Sequence, residues 1–303
     1  MLEIKIPLSV PQTKRLEYRR NYEQATNKTG NLLLIAGDQK IEHLNADFSG
    51  PGISPEDSSP EHLFKIAAAS NGGLLATHLG LIARYGQNYK QLPYLVKING
   101  KTNLGPNDDK DSSKPWWKVE DIIDFKKQSG LKIVGIGYTL YLGGKYEAKM
   151  LARVARAIWQ AHQAGMIAIL WVYPRGKNVD EEDIKTIAGG AGVAACLDAD
   201  FVKVKYPYDK SDKQKTALKF LEVTKAAGRT KVICVGGDKR PLQDLLASVE
   251  RQINISQTCG LAIGRNLHKR SLSEATKLTT ALEKIIFKAP KINKKTTKFL
   301  GLF

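Results

Sequence analysis

Asp200–Pro207 reads DFVKVKYP. Phe201, Val202 and Val204 give it the apolar, β-rich character of a core strand, predicted over Phe201–Tyr206. Inside that strand, Lys203 and Lys205 lie two residues apart, so both point to one face. An ammonium is costly to desolvate, and a lysine pair in a core strand therefore needs a reason. Seven comparable runs share the chain: Leu32–Asp38, Gly73–His78, Tyr94–Asn99, Ile133–Tyr138, Ile167–Tyr173, Val232–Gly236 and Leu261–Gly264. Helical patterns separate the later ones. In Tyr146–Gln163, Leu151, Val154, Ala155, Ile158 and Trp159 form one stripe, and Gly165 stops the helix. Ser211–Ala227 and Pro241–Ile253 read as helices too. Ser59–Pro60–Glu61 opens another, and Ser271 with Glu274 has capping-box spacing.

Eight strands with crossover helices predict a parallel sheet closed into a (β/α)₈ TIM barrel, class α/β. The competing architecture is an open doubly wound sheet, but no GxGxxG follows the first strand. Residues 1–30 are expected to cap the barrel, 31–287 to form it as a single domain, and 288–303 to be a basic C-terminal tail. Two loops are long, Gln39–Ser58 and Lys101–Lys118, and both follow strand C-termini, the end where such barrels carry their sites.

The 303 residues, 42% hydrophobic and 25% charged, suffice for a sizeable core. Cys196, Cys234 and Cys259 are scattered without a CxxC, which suggests neither a disulfide framework nor zinc and fits a reducing cytosol. No apolar run is long enough for a signal peptide or membrane span, so a cytoplasmic protein is expected. The net charge of +17 raises the question of nucleic acid. Part of that excess lies in the tail after Phe287, which holds five lysines and no acid. No aromatic-interleaved basic motif or helix-turn-helix accompanies it, so the charge reads better as a basic surface plus sites for anionic substrates.

Polar and special residues gather where the strands finish. They are Asp38; Lys97 with Asn99–Gly100–Lys101; Tyr138–Thr139; Trp171, Tyr173 and Arg175; Lys203 and Lys205; Gly236–Gly237–Asp238; and Gly264–Arg265–Asn266. A purely structural barrel does not need polar groups at so many ends of one sense. In a barrel strand, Val202 and Val204 suit the helix side, and Phe201, Lys203 and Lys205 point inward. Either both lysines snorkel to solvent, or the pair is functional. In the second case each ammonium lowers the other's pKa and burial lowers it further, leaving an amine able to attack a ketone. Tyr173 and Asp38 are candidates for the proton transfers of an imine, against a buried hydrogen-bonded tyrosine and a loop-tying aspartate. Trp171 either walls the pocket or fills a core layer.

VGGDK (235–239) and IGRN (263–266) stand where barrels of this kind often bind phosphate through backbone N–H groups and a helix N-terminus. Gly236, Gly237 and Gly264 permit close backbone approach, and Arg265 suits phosphate oxygens. The histidines lack metal-ligand spacing, and Asp108, Asp109 and Asp111 read as a solvated charge cluster.

Seven motifs, in order and at retained spacing over about Leu32–Arg270, carry a resemblance. They are LIAGDQKIEH (34–43), VKINGKTNL (96–104), GYTLY (137–141), WVYPRG (171–176), ADFVKVKYP (199–207), VGGDK (235–239) and GLAIGRN (260–266). The sequence resembles the archaeal-type class I fructose-bisphosphate aldolases, related to deoxyribose-phosphate aldolase. That resemblance implies Lys203 as the imine lysine, Tyr173 as acid/base with Trp171 beside it, and Asp38 as the strand-one aspartate. It implies phosphate loops at Gly236–Gly237 and Gly264–Arg265, a phosphorylated ketose as substrate, no metal or organic cofactor, and a homo-oligomer. Arg175 and Lys205 join the expected substrate-binding set.

Three positions depart from the family pattern. DQK (38–40) replaces the frequent DHG, Val235 stands where Ser is common, and YLGGKYE follows strand four. The same Lys and Tyr framework is implied for sister enzymes, an amino-dideoxy-heptulosonate synthase and a thiolase-like relative. A non-catalytic basic barrel binding anions or RNA is the reading from another class.

Overall fold

Leu32–Ala36 is buried at every position, as expected of a parallel strand covered on both faces. The computed structural model describes residues 2–105, 111–177, 179–207 and 212–288. In it β1 (Leu32–Ala36), β2 (Leu74–His78), β3 (Pro93–Lys97), β4 (Lys132–Leu142), β5 (Ile167–Pro174), β6 (Phe201–Val204), β7 (Lys231–Val235) and β8 (Gly260–Ile263) form a closed barrel. Its strands pair in parallel, and β1 closes on β8 with Leu33 opposite Leu261. Closure brings β8 so near β1 that a Cβ on Gly260 would lie 1.9 Å from the Leu32 carbonyl oxygen. The TIM barrel expected from the sequence is the fold observed.

α1 (Arg15–Ala25) precedes the barrel, and the short α2 (Gln39–Glu42) follows β1. The outer helices are α3 (Glu61–Ala68), α4 (Leu79–Tyr85), α5 (Val119–Ser129), α6 (Glu147–Gln163), α7 (Ile184–Cys196), the pair α8 (Lys213–Lys219) and α9 (Leu221–Ala226), and α10 (Leu242–Asn254). α11 (Arg265–His268) and α12 (Leu272–Ile286) follow β8. The helix expected over Ser211–Ala227 is divided at Phe220, and Ser211 lies outside the described residues. The predicted capping box is present, with Ser271 Oγ accepting from the Glu274 N–H. The predicted stripe on α6 is corrected: Met150, Val154, Ala157, Ile158 and Ala161 face the core. Trp159 is 51% exposed, because the buried face is centred one residue-step away from it.

Two cores result. The outer one packs the helices on the strands. The inner one fills the barrel, with Leu34, Ile169, Phe201 and Ile233 among its members. α1 lies against the bottom of this inner core. Tyr22 stacks on Phe201 at 5.6 Å, and the Tyr18 hydroxyl donates to Asp200. His162 lies between Asp198 at 3.2 Å and Asp200 at 3.1 Å. Burial disfavours its charge, but the two carboxylates outweigh burial and lift its pKa to about 10. A buried imidazolium thus fastens the N-terminal segment beneath the barrel.

At the opposite end the long loops are anchored. The loop after β1 ends in a 3-10 turn, Pro55–Ser58, and is tied to the segment after β8 by Lys269–Asp47 at 2.5 Å. The loop after β3 folds back as a two-stranded antiparallel hairpin, Asn99–Gly100 against Lys114–Pro115. Asp108 and Asp109, and the tail from residue 289 on, lie outside the described residues.

Candidate active site

Alternation along β6 sends Val202 and Val204 into the outer core and Phe201 and Lys203 into the barrel. Lys203 is 4% exposed, and its Nζ lies 5.0 Å from the Trp171 ring centre. Burial, then the nearby charges of Lys97 and Arg265, lower the amine to about 8, against the opposing pull of Asp38 and Glu42.

The second ammonium is not the one expected from the sequence. β6 ends at Val204, and past it the chain leaves the strand, so alternation no longer holds Lys205 inward. Lys205 is half-exposed at the rim, 3.0 Å from Glu182 and 3.8 Å from Glu181. The cation beside Lys203 is Lys97, from β3. Its Nζ lies 4.9 Å from the same Trp171 ring, donates to Thr139 Oγ1 at 2.5 Å and pairs with Asp38 at 3.3 Å. Asn99 holds β4 in register beneath it, exchanging two 2.8 Å hydrogen bonds with the Thr139 backbone. Burial opposes charge on Asp38, but Lys97 and Lys203 outweigh it and hold the carboxyl down at about 2. Asp38 is thus a fixed anion between two lysines. The signal that marks Lys97 is its position, a charged residue inside an apolar strand at the same end as Lys203.

Tyr173 lies at the C-terminal end of β5. β4 runs past its predicted end at Tyr138 and so brings Tyr141 level with it; their rings stack at 6.1 Å. Arg175 places its guanidinium 5.1 Å from each ring centre. Burial, then the carboxylates of Glu42 and Asp38, raise the Tyr173 phenol above its ordinary value. Glu42 is a site residue the motif reading passed over. It ends α2, four residues after Asp38, and its Oε1 accepts from the Tyr141 hydroxyl at 3.3 Å. The DxxxE spacing over one helical turn was the available sign.

The two glycine loops meet at the same mouth. Gly237 has φ +69, a left-handed conformation natural to glycine. Buried Asn266 knots the first loop, its Nδ2 donating to the carbonyls of Gly236, Gly237 and Asp238 at 3.1, 3.1 and 2.7 Å. Arg265 is ion-paired with Asp238. Gln39, where the family often has histidine, lies over Gly264, since a Cβ there would be 2.2 Å from its Nε2. Lys203, Tyr173, Asp38, Trp171, Arg175 and the glycine loops therefore gather at one end of the barrel, and Lys205 stays on its rim. Among the described residues, no group of three or more His, Cys, Asp or Glu is placed to hold a metal ion.

A buried amine lowered toward neutrality, at the C-terminal mouth of a parallel barrel, is the arrangement that imine formation with a ketone requires, and it is the chemistry of the aldolase class. Residues 32–270 match the DeoC/LacD family aldolase model, and the chain belongs to that family. It is 49% identical over 300 residues to a fructose-bisphosphate aldolase/6-deoxy-5-ketofructose 1-phosphate synthase of Methanocaldococcus jannaschii, covering 99% of this chain and 95% of that one. Among solved structures, a fructose-bisphosphate aldolase from Slackia heliotrinireducens matches with a TM-score of 0.91 at 45% identity, over 98% of this chain and 94% of that one. An archaeal fructose-1,6-bisphosphate aldolase, solved with its catalytic lysine bound to the carbinolamine intermediate, matches with a TM-score of 0.76 at 28% identity, over 89% of this chain and all (100%) of that one.

Proposed function

We propose that this chain is a class I aldolase that reversibly cleaves fructose 1,6-bisphosphate into dihydroxyacetone phosphate and glyceraldehyde 3-phosphate. The observation that carries this reading is the Lys203 amine, buried and lowered to about 8 at the mouth of the barrel. Roughly a tenth of such an amine is neutral at pH 7, against about 0.03% of an ordinary lysine. Lys203 attacks the C2 ketone. Asp38, held ionised by Lys97, orients the hydroxyls and assists dehydration of the carbinolamine to a protonated imine. The imine is the electron sink that lets the C3–C4 bond break. Tyr173 handles the proton of the C4 hydroxyl. Gly236, Gly237, Gly264 and Arg265 grip a phosphate, with Arg265 exchanging Asp238 for the ligand, and Trp171 walls the cavity. Arg175 attracts the second anionic end. That grip sets the ketone against the amine, which is a large share of the rate gain.

The identity with the Methanocaldococcus jannaschii relative favours a second reading of the same kind. Scission of 6-deoxy-5-ketofructose 1-phosphate between C3 and C4 gives dihydroxyacetone phosphate and an unphosphorylated three-carbon oxo-aldehyde. Both reactions pass through one enamine and differ in the aldehyde. The test is turnover with EDTA present, measured for cleavage of fructose 1,6-bisphosphate and for condensation of dihydroxyacetone phosphate with each aldehyde. Cleavage of the bisphosphate supports the first reading. Condensation with the oxo-aldehyde and no turnover of the bisphosphate replaces it with the second.

A further inference from the structure

Asp38 and Glu42 bracket one turn of helix at the mouth, but they differ in setting. Asp38 is locked in the ion pair with Lys97. Glu42 is only half-buried and is joined instead to the tyrosine pair, accepting from Tyr141, which stacks on Tyr173. Of the carboxylates near Tyr173, Glu42 acts on its phenol most strongly, ahead of Asp38. A phenol kept in its neutral form holds one proton already. It can accept the C4 hydroxyl proton only by releasing its own, and the release needs an acceptor.

We propose that Glu42 is that acceptor, a positioning residue that works through Tyr173 and sets its protonation state through the reaction. The inference rests on the imine-forming aldolase reading above. In cleavage, the C4 hydroxyl proton moves to the Tyr173 oxygen as the phenolic proton moves to Glu42, directly or over the Tyr141 hydroxyl. The O–H electron pair at C4 becomes the second bond of the new carbonyl. The C3–C4 pair becomes the C2–C3 double bond, and the iminium nitrogen becomes a neutral enamine nitrogen. The proton on Glu42 then returns by the same path to C3 of the enamine, whose nitrogen becomes an iminium again, and water hydrolyses that iminium to the ketone and the free lysine. Every proton taken from the substrate is given back to it, and no phenolate accumulates. Arg175, over both rings, steadies the transient negative charge.

Glu42→Gln keeps an oxygen that accepts from Tyr141 and removes the ability to take a proton. It should cleave fructose 1,6-bisphosphate about 100-fold more slowly, with KM changed less than about threefold. Exchange of the C3 proton of dihydroxyacetone phosphate with deuterium oxide should fall in parallel. Borohydride trapping of that ketone on the enzyme should be unchanged or faster, because Glu42 opposes the neutral form of Lys203. Glu42→Ala should lose the same step and regain part of its rate with added formate, which a merely structural role does not allow. The inference is overturned if Glu42→Gln cleaves within about threefold of the parent chain, if it loses trapping along with cleavage, or if formate restores nothing. A parent chain that neither traps nor cleaves refutes the aldolase reading itself.

Discussion

Lys97→Met probes the electrostatics that make Lys203 reactive. The two ammonium groups lie 4.9 and 5.0 Å from one indole ring, so at most about 10 Å separates them. At an effective dielectric constant of about 20 their repulsion is then at least roughly 1.7 kcal/mol, or about one pH unit. Methionine fills similar space without charge. It also releases Asp38, whose carboxylate then acts on Lys203 alone, and both changes push the amine the same way, upward. The pH midpoint of imine formation should rise from about 8 to about 9 or above. At pH 7 the neutral fraction, and with it the trapping rate, should drop about tenfold and recover near pH 10. The assay is the rate of borohydride-trapped adduct with dihydroxyacetone phosphate between about pH 6 and 10, followed by intact mass. Lys205→Met is the control and should leave the midpoint in place, since Lys205 is engaged with Glu181 and Glu182 at the rim. A midpoint that stays or falls in Lys97→Met, or moves in Lys205→Met, would show that Lys97 does not hold the Lys203 amine down.

Other variants test other parts of the molecule. Lys203→Met should raise stability by about 2–3 kcal/mol at pH 7, because a buried lysine lowered from 10.5 to about 8 favours the unfolded chain's proton binding. Stability of the parent chain should rise with pH across that window, so urea denaturation of the two should converge above about pH 10.5. His162→Gln should behave in the opposite sense. The imidazole pKa is raised to about 10, so its contribution is complete below the unfolded value near 6.5 and lost as pH rises through about 10. The variant should lose about 3 kcal/mol at pH 6 and much less above pH 10, read by the same method. Arg265→Met should raise KM for the phosphorylated ketose at least about tenfold. Trapping of unphosphorylated dihydroxyacetone should fall much less, only as far as loss of the Arg265 charge lets the Lys203 amine rise; equal losses with both ketones would remove Arg265 from the phosphate site.

Most of the barrel was legible because its strands are short apolar runs bounded by glycine and polar ends. The eight predicted runs and the observed strands agree within a few residues. The exceptions have physical causes. β4 outlasts its apolar run because its outer residues still find a partner in β5, up to Leu142 opposite Pro174. α6 turns Trp159 outward, which periodicity with so wide an apolar stripe could not decide. The lysine pair misled for a related reason. Alternation is reliable only while the chain remains a strand, and β6 stops between Lys203 and Lys205. The true neighbour, Lys97, is more than a hundred residues away in sequence, and only barrel closure brings it to the same indole. Glu42 was equally hard to read, since its place depends on α2 and on Tyr141 from a distant strand.

In the proposed reaction a single amine, that of Lys203, forms the covalent bond to substrate. Reduction with borohydride in the presence of dihydroxyacetone phosphate, followed by peptide mapping, tests it most directly. One reduced adduct is expected, on the peptide that carries Lys203, and none after Lys203→Met. An adduct on Lys97 or elsewhere, or trapping that survives the loss of Lys203, would contradict it.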